Sequence, residues 1–167
     1  MRYISLILVC SLLFNSCNEQ HKSIQVSESE KVNEFFETQF DLAVSRSPMR
    51  QTRLGIKTDY DKWDDISPEA EAQDIEIAKQ ALDWLSNVDT LALDESTFLS
   101  YKLYKQRLIN TIEDDKWRLY SYPLNQMHGL QAEIPAFLIN MHKIADTSDA
   151  LAYISRLQGI KPMFEQL

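Results

Sequence analysis

Apolar residues recur every three to four positions through much of the chain, which is the spacing of amphipathic helices. The first such stripe predicts a helix over residues 28–45, and Ser27 with Glu30 has the spacing of a capping box at its start. A second helix is predicted from Ser67-Pro68, because serine is a favourable N-cap and proline a favourable first residue. Asp94 is placed to cap a third helix.

Two stretches lack a sustained period. Residues 46–66 are predicted to form a loop, in which Pro48 ends the first helix and Gly55 is a turn residue. Residues 117–135 fit either a short extended piece ending before Pro123 or a longer loop.

Helical spacing returns in the C-terminal part of the chain. It predicts a helix over residues 136–144, and a further helix that is capped by Asp146 or Thr147 and stops at Gly159. Pro162 is then expected to begin another helix. The sequence contains only one turn of it, so we expect the natural chain to continue.

These elements predict an all-α fold, an irregular bundle of amphipathic helices over residues 30–167 that is the N-terminal part of a larger helical domain. With only three glycines and five prolines, long regular elements are favoured. The stripes predict that six large side chains are mostly buried: Phe36, Phe40, Leu82, Leu85, Leu108 and Leu157.

Composition and charge restrict the possible partners. Of 167 residues, 44% are hydrophobic and 25% charged, which is typical of a globular protein about one domain in size. The formal net charge of −8 argues against nucleic acid, because binding phosphates requires clustered Lys and Arg. The acidic balance also argues against polybasic attachment to anionic lipid. Attachment to a membrane would therefore be covalent or hydrophobic.

The N-terminus is organised like a bacterial secretory signal. Arg2 supplies a short positive region, and residues 4–14 form an apolar stretch. A helix of that length extends about 16 Å, roughly half of a bilayer core. We therefore expect residues 1–16 to be a cleaved signal peptide and not a membrane-spanning helix.

Ser16 followed by Cys17 and a polar run is typical of a bacterial lipoprotein signal, in which the cysteine becomes the acylated N-terminus. Cys10 would leave with the leader, so the mature chain would have one cysteine and no intramolecular disulfide. We predict lipid attachment at Cys17, a flexible tether over residues 17–29, and a membrane-anchored location in the cell envelope, facing the periplasm or the cell surface. The alternative is a plain signal peptide that leaves Cys17 as a free thiol.

Two histidine–carboxylate pairs are candidate metal ligands, His128 with Glu133 and His142 with Asp146. A zinc site needs three or four converging ligands, and the chain has no H-E-x-x-H or C-x-x-C motif. We therefore interpret these histidines as ordinary surface or hydrogen-bonded residues, and assign no metal ligand in this chain.

Two acidic runs, residues 59–65 and 113–115, could bind calcium or supply acid–base pairs. Neither has the spacing of an EF-hand, so solvated charge is the expected role. The sequence also lacks a nucleophile elbow, a phosphate loop and a dinucleotide fingerprint. No catalytic and no cofactor-binding residue is therefore assigned.

The aromatic residues could line a groove or fill the core. Helical spacing favours core packing for Trp84 and Tyr101. Trp63 and Trp117 lie in less regular stretches and are the better candidates for a surface contact.

Four segments together resemble a known family: Arg53-Leu54-Gly55, and residues 122–126, 134–142 and 149–157. In this order and spacing, residues from about 30 to 167 resemble the N-terminal portion of the family called domain of unknown function 885, which consists largely of bacterial exported lipoproteins. The resemblance implies an all-helical, gluzincin-like architecture.

The same resemblance implies a function that this chain does not contain. Family members are much longer, with a zinc-binding histidine segment far towards the C-terminus, which suggests metal-assisted hydrolysis of a peptide-like bond. Zinc and a peptide-like substrate are implied only for the full-length family, and no ligand or catalytic residue is carried over here. The favoured hypothesis is an inactive N-terminal fragment of a lipid-anchored metallohydrolase. The alternative is a small helical lipoprotein that acts as a binding or assembly module.

Overall fold

The computed structural model describes residues 26–120 and 122–167. Over these residues the chain forms six α-helices and no strand, which confirms the all-α prediction. The helices are α1 (Glu28–Ser45), α2 (Pro48–Arg53), α3 (Pro68–Ser86), α4 (Glu95–Asp114), α5 (Leu130–Asn140) and α6 (Thr147–Phe164). The predicted leader, Cys17 and most of the predicted tether lie outside the described residues. None of the described helices is long and apolar enough to cross a membrane.

The three predicted N-caps are confirmed. At α1 the capping box is complete, since the Glu30 backbone N–H donates to Ser27 Oγ and the Ser27 N–H donates to the Glu30 carboxylate. Ser67 Oγ caps α3 and the Asp94 carboxylate caps α4. These local hydrogen bonds satisfy backbone donors that the first helical turn leaves free, so the sequence fixes where each helix begins.

Two apolar clusters form the core. The first joins α1, α3 and α4, and its buried members are Ala78, Ala81, Leu85, Tyr101 and Leu108. The second joins α5 and α6 to the segment before α3, through buried Ile134, Leu138 and Met163 and the partly buried Trp63.

The predicted loop over residues 46–66 is wrong in part, because its first residues form the short helix α2. Pro48 does not end a helix but occupies the first position of α2, where its missing N–H would have had no partner. Ser47 caps this helix by accepting from the Arg50 N–H. A helix of six residues is too short to show a period. Gly55 follows as the predicted turn residue, with φ +78°.

The boundaries in the C-terminal half also differ from those predicted. Helix α5 spans Leu130–Asn140 where residues 136–144 were predicted, and α6 continues to Phe164 through both Gly159 and Pro162. Gly159 does not end the helix. A Cβ there would lie 3.0 Å from Cδ1 of the Trp63 ring, so glycine allows this ring to pack closely on α6. Asp146 and Thr147 were the two predicted N-caps of α6, and the structure shows Asp146 in this role.

The segment before α5 contains a short 3-10 helix at Asp115–Tyr120, followed by an irregular stretch with one isolated bridge between Leu124 and Gly129. Of the two alternatives for this region, the described residues agree with the longer loop.

The burial predictions are confirmed for two of the six side chains. Leu85 and Leu108 are buried, and Phe36 and Leu82 are partly buried. Phe40 and Leu157 were predicted to be buried and are about half exposed, at 51% and 47%. Phe40 borders a groove between α1, α3 and α4, and Leu157 borders a shallow groove between α5 and α6.

Candidate functional site

The most elaborate polar arrangement surrounds Arg156 of α6, whose side chain is fully buried. Its Nε donates to the Lys62 carbonyl oxygen at 3.0 Å, and Nη2 donates to Thr52 Oγ1 at 2.8 Å. Its Nη1 contacts Nδ1 of His142 at 3.0 Å. The guanidinium therefore joins α6 to α2, to the segment between α2 and α3, and to the loop after α5.

Aromatic rings surround the same guanidinium. Its Cζ lies 4.9 Å from the ring centroid of Phe137, 5.4 Å from Tyr60 and 5.5 Å from Trp63. Among the described residues no carboxylate lies within ion-pair distance of Arg156. Burial lowers the pKa of Arg156, but a guanidinium stays protonated in proteins. Carbonyl and hydroxyl oxygens, the imidazole and the ring faces therefore compensate its charge.

His142 is held in one tautomer by its two neighbours. A guanidinium can only donate, so Nδ1 of His142 must accept from Arg156 and carry no proton. The proton of the neutral ring is then on Nε2, which donates to the Asp149 backbone carbonyl at 3.1 Å. The ring is buried and stacks on Tyr60 with centroids 4.1 Å apart. Burial, together with the charge of Arg156, lowers the pKa of His142.

Asp149 completes the arrangement from the first turn of α6. Its buried carboxylate accepts from Lys57 Nζ at 2.6 and 2.8 Å and from the Ala145 N–H at 2.9 Å. These hydrogen bonds lower the pKa of Asp149, that with Lys57 most, and the same contact raises the pKa of Lys57. The ion pair between Lys57 and Asp149 joins the turn after Gly55 to the start of α6.

Tyr60 and Gln51 fix the remainder of the segment between α2 and α3. The Tyr60 hydroxyl donates to the Lys143 carbonyl and accepts from the Lys143 N–H. The buried Gln51 side chain donates to the Val44 carbonyl and to the Asp59 carboxylate, and accepts from the Asp59 N–H. The segment between α2 and α3 has no regular secondary structure, so these side-chain hydrogen bonds hold it in place.

We call Arg156, His142, Asp149, Thr52 and Tyr60 the Arg156 cluster. In the described parts of the chain, every buried side-chain nitrogen and oxygen has a hydrogen-bond partner. The cluster therefore has no unpaired buried base or nucleophile, and its geometry is that of a structural brace between distant segments.

The structure does not bring together as a metal site the two histidine–carboxylate pairs that were considered, and rejected, as candidate metal ligands. His128 and Glu133 are exposed, and Asp146 caps α6 with its carboxylate. His142 uses both ring nitrogens in hydrogen bonds, one of them with a cation, so it does not fit zinc. In residues 26–120 and 122–167 no three His, Cys, Asp or Glu side chains are grouped to hold a metal ion.

The acidic run at residues 59–65 has local structural roles. Asp64 accepts from Ser47 Oγ and from the Met49 N–H, both at 2.7 Å. Asp65 accepts from the Ser67 N–H, which lowers the pKa of Asp65. These carboxylates accept hydrogen bonds from backbone N–H groups at the starts of α2 and α3. Their role is therefore closer to helix capping than to acid–base chemistry.

Two of the four aromatic predictions are wrong. Trp63 was predicted to be available at the surface, but its Nε1 donates to the Arg156 carbonyl at 2.8 Å and its ring lies in the second core cluster. Trp84 was predicted to be in the core and is 37% exposed. Trp117 is exposed and Tyr101 is buried, as predicted.

Residues 48–167 match the family described as "Bacterial protein of unknown function (DUF885)", which is well over half of the chain. The chain belongs to the DUF885 family. No curated protein and no solved structure gives a significant match to it.

All members of the Arg156 cluster lie in the part that matches DUF885. Three of the four segments that carried the resemblance contribute to this region, because 134–142 ends at His142, 149–157 contains Asp149 and Arg156, and 53–55 forms the turn before Lys57. In this DUF885 chain these motif segments meet in a brace that holds α2, α5 and α6 together.

Proposed function

We propose that this DUF885 chain is the helical N-terminal scaffold of an exported, lipid-anchored zinc hydrolase that acts on peptide-like bonds, and that the zinc ligands come from residues outside this chain. The observation that carries the proposal is the Arg156 cluster, in which every buried side-chain nitrogen and oxygen already has a hydrogen-bond partner within the fold. Such a centre stabilises a fold and has no free group for chemistry.

An uncovered apolar face supports a scaffold role. On α5 and α6 the apolar side chains of Ile139 and Leu157 are more than 45% exposed, and they line one shallow groove with Ile134, Leu138 and Phe164. A contiguous apolar surface of this kind usually packs against another protein segment. We propose that a further helical segment of the hydrolase covers this face.

Zinc content and peptidase activity test the hydrolase proposal. We expect residues 18–167, expressed alone, to bind no stoichiometric zinc and to hydrolyse no peptide, because a hydrolytic zinc needs three protein ligands and an open position for water. The translation product of the complete reading frame should hold one zinc per chain and lose activity with a chelator. Elemental analysis after dialysis and a peptidase assay measure both. A tightly held zinc on residues 18–167, or turnover by them that His142→Ala abolishes, would refute the proposal.

The lipid anchor is tested at Cys17, which follows Ser16 after the apolar residues 4–14. In cells fed a radioactive fatty acid, Cys17→Ser should abolish incorporation of label, because the acylated sulfur is removed. Cys10→Ser is the matched control and should leave labelling unchanged, since Cys10 lies within the leader. Equal labelling of the Cys17→Ser variant and the wild type would contradict a lipoprotein.

The second candidate is a small helical lipoprotein that binds or assembles other molecules. A groove between α1, α3 and α4 of about 610 Å³ favours it, because this volume is typical of ligand-binding sites. A stop codon directly after Leu167 would favour this candidate, whereas an open frame that encodes a zinc motif would favour the hydrolase.

A further inference from the structure

The contact between His142 and Arg156 depends on the protonation state of the imidazole. Nδ1 of the neutral ring accepts from Arg156 Nη1 at 3.0 Å, and Nε2 donates to the Asp149 carbonyl at 3.1 Å. A guanidinium can only donate, so a proton on Nδ1 removes the first hydrogen bond and brings two cations together. Both side chains are buried, and water therefore does not screen this repulsion while the fold is intact.

The other charged groups around this contact offer the protonated ring no hydrogen bond. Four carboxylates and one cation lie nearby: Asp61, Asp64, Asp146, Asp149 and Lys57. In the part of the chain that the structure describes, no carboxylate oxygen accepts from His142 or Arg156. Tyr60 and Tyr153 enclose the ring, and the Tyr60 hydroxyl already bonds to the Lys143 backbone. A proton on Nδ1 therefore finds no acceptor in this arrangement.

The segment formed by residues 57–63 is the part of the brace that is free to move. It lies between the end of α2 and the start of α3 and contains no helix or strand. Four hydrogen bonds join it to α6 or to the loop after α5: Lys57 to Asp149, Tyr60 to Lys143, Lys62 to Arg156, and Trp63 to Arg156. Helix α6, in contrast, has 18 residues with their own backbone hydrogen bonds, and Met163 holds it in the second core cluster.

The first core cluster does not depend on this contact. It joins α1, α3 and α4 around buried side chains such as Leu85 and Tyr101. The hydrogen bonds of His142 and Arg156 go to α2, to segment 57–63 and to one another, and to Asp149 within α6. Loss of these bonds therefore removes no contact within the first cluster.

We propose that protonation of His142 opens this contact locally, so that segment 57–63 separates from α6 and from the loop after α5 while α1, α3 and α4 stay packed. Opening exposes the imidazolium and the guanidinium to water, which solvates both charges. Burial lowers the pKa of His142 in the closed form, so opening becomes more favourable as the pH falls below about 6.5, the ordinary pKa of histidine. This inference goes beyond the proposed function, since a scaffold needs no response to pH.

Hydrogen exchange followed by NMR at single sites tests the proposal in the wild-type protein. Two groups donate across the contact: the Lys143 backbone N–H donates to the Tyr60 hydroxyl, and the Trp63 indole N–H donates to the Arg156 carbonyl. After correction for the intrinsic effect of pH on exchange, their protection should fall about tenfold between pH 7.5 and 5.0, the effect of one pH unit of proton linkage. Protection that is the same at both pH values would overturn the proposal.

Comparison with α4 shows whether the opening is local. The amides of Tyr101 and Leu108 belong to the first core cluster and should exchange by global unfolding, with high protection that decreases when urea is added. The Lys143 and Trp63 groups should have lower protection, which small amounts of urea leave unchanged. If all four sites had the same protection and the same urea dependence, the contact would open only with the whole fold and the proposal would be wrong.

Two variants assign the pH dependence to one histidine. His142→Gln keeps an acceptor for Arg156 but does not titrate, so protection at Lys143 and Trp63 should no longer depend on pH. His128→Gln is the matched control at an exposed histidine and should keep the wild-type dependence. A pH dependence that persists in His142→Gln, or that His128→Gln removes, would contradict the assignment to His142.

Discussion

Replacing Arg156 by methionine is expected to lower the free energy of unfolding by about 1 to 3 kcal/mol, the usual cost of leaving a buried acceptor without its donor. Methionine fills much of the space but donates no hydrogen bond. Thr52 Oγ1, the Lys62 carbonyl and His142 Nδ1 would each lose a donor in a region closed to water. Urea unfolding followed by circular dichroism measures the change.

Two further variants separate charge from geometry at this position. Arg156→Lys keeps the positive charge but has no planar fork, so it should recover only part of the lost stability. Arg118→Met, at an exposed arginine, should change stability by less than about 0.5 kcal/mol. If Arg156→Met were as stable as the wild type, the brace described above would be wrong.

The parts of the fold that the sequence predicted depend on local chemistry. Ser27, Ser67 and Asp94 each accept a hydrogen bond from a residue three positions on, so the sequence alone identifies the start of α1, α3 and α4. Gly159 illustrates the limit of such reasoning. Its role depends on Trp63, nearly a hundred positions away, and a glycine that ends a helix cannot be distinguished locally from one that admits a ring.

The burial of Phe40 and Leu157 was mispredicted for a related reason. Helical periodicity shows which residues share a face, but it does not show whether another element covers that face. Phe40 lines the groove beside α3, and Leu157 lies on the open face of α5 and α6. Both are apolar positions that the described residues leave available for a ligand or another segment.

The Arg156 cluster was missed because its residues have no characteristic spacing. Thr52 and Arg156 are more than a hundred positions apart, and His142 was interpreted only as an ordinary surface or hydrogen-bonded histidine, with no partner assigned to it. The one signal in the sequence was that the segments resembling the family contain His142, Asp149 and Arg156 among mostly apolar residues. A charged residue within an apolar stripe is a candidate for a buried, hydrogen-bonded core position.

The tautomer of His142 has a consequence for stability. Nδ1 must stay unprotonated to accept from Arg156, so a proton there would replace a hydrogen bond with repulsion between two cations. Lys57 adds a further positive charge nearby, and Tyr60 and Tyr153 enclose the ring. Asp149 favours the protonated ring through its carbonyl and its charge, but burial is the larger effect and the pKa of His142 is lowered.

The free energy of unfolding is therefore expected to fall as the pH falls below about 6.5, the ordinary pKa of histidine in an unfolded chain. Below that pH the unfolded chain binds a proton that folded His142 does not, so stability decreases by at most about 1.4 kcal/mol per pH unit until the lowered folded pKa is reached. Above about pH 6.5 this contribution is fully present. Measurements from pH 8 to pH 5 avoid the range in which Asp149, whose pKa is also lowered, is protonated.

Urea unfolding at several pH values, with two variants, assigns this decrease to His142. His142→Gln keeps an acceptor for Arg156 but loses the ring that stacks on Tyr60, so this variant should be less stable than the wild type at pH 7.5. Because glutamine does not titrate, the stability of the variant should fall little further between pH 6.5 and 5. His128→Gln, at an exposed histidine, should follow the wild type throughout. A wild-type protein whose stability is constant across this range would show that the ring is not held neutral by Arg156.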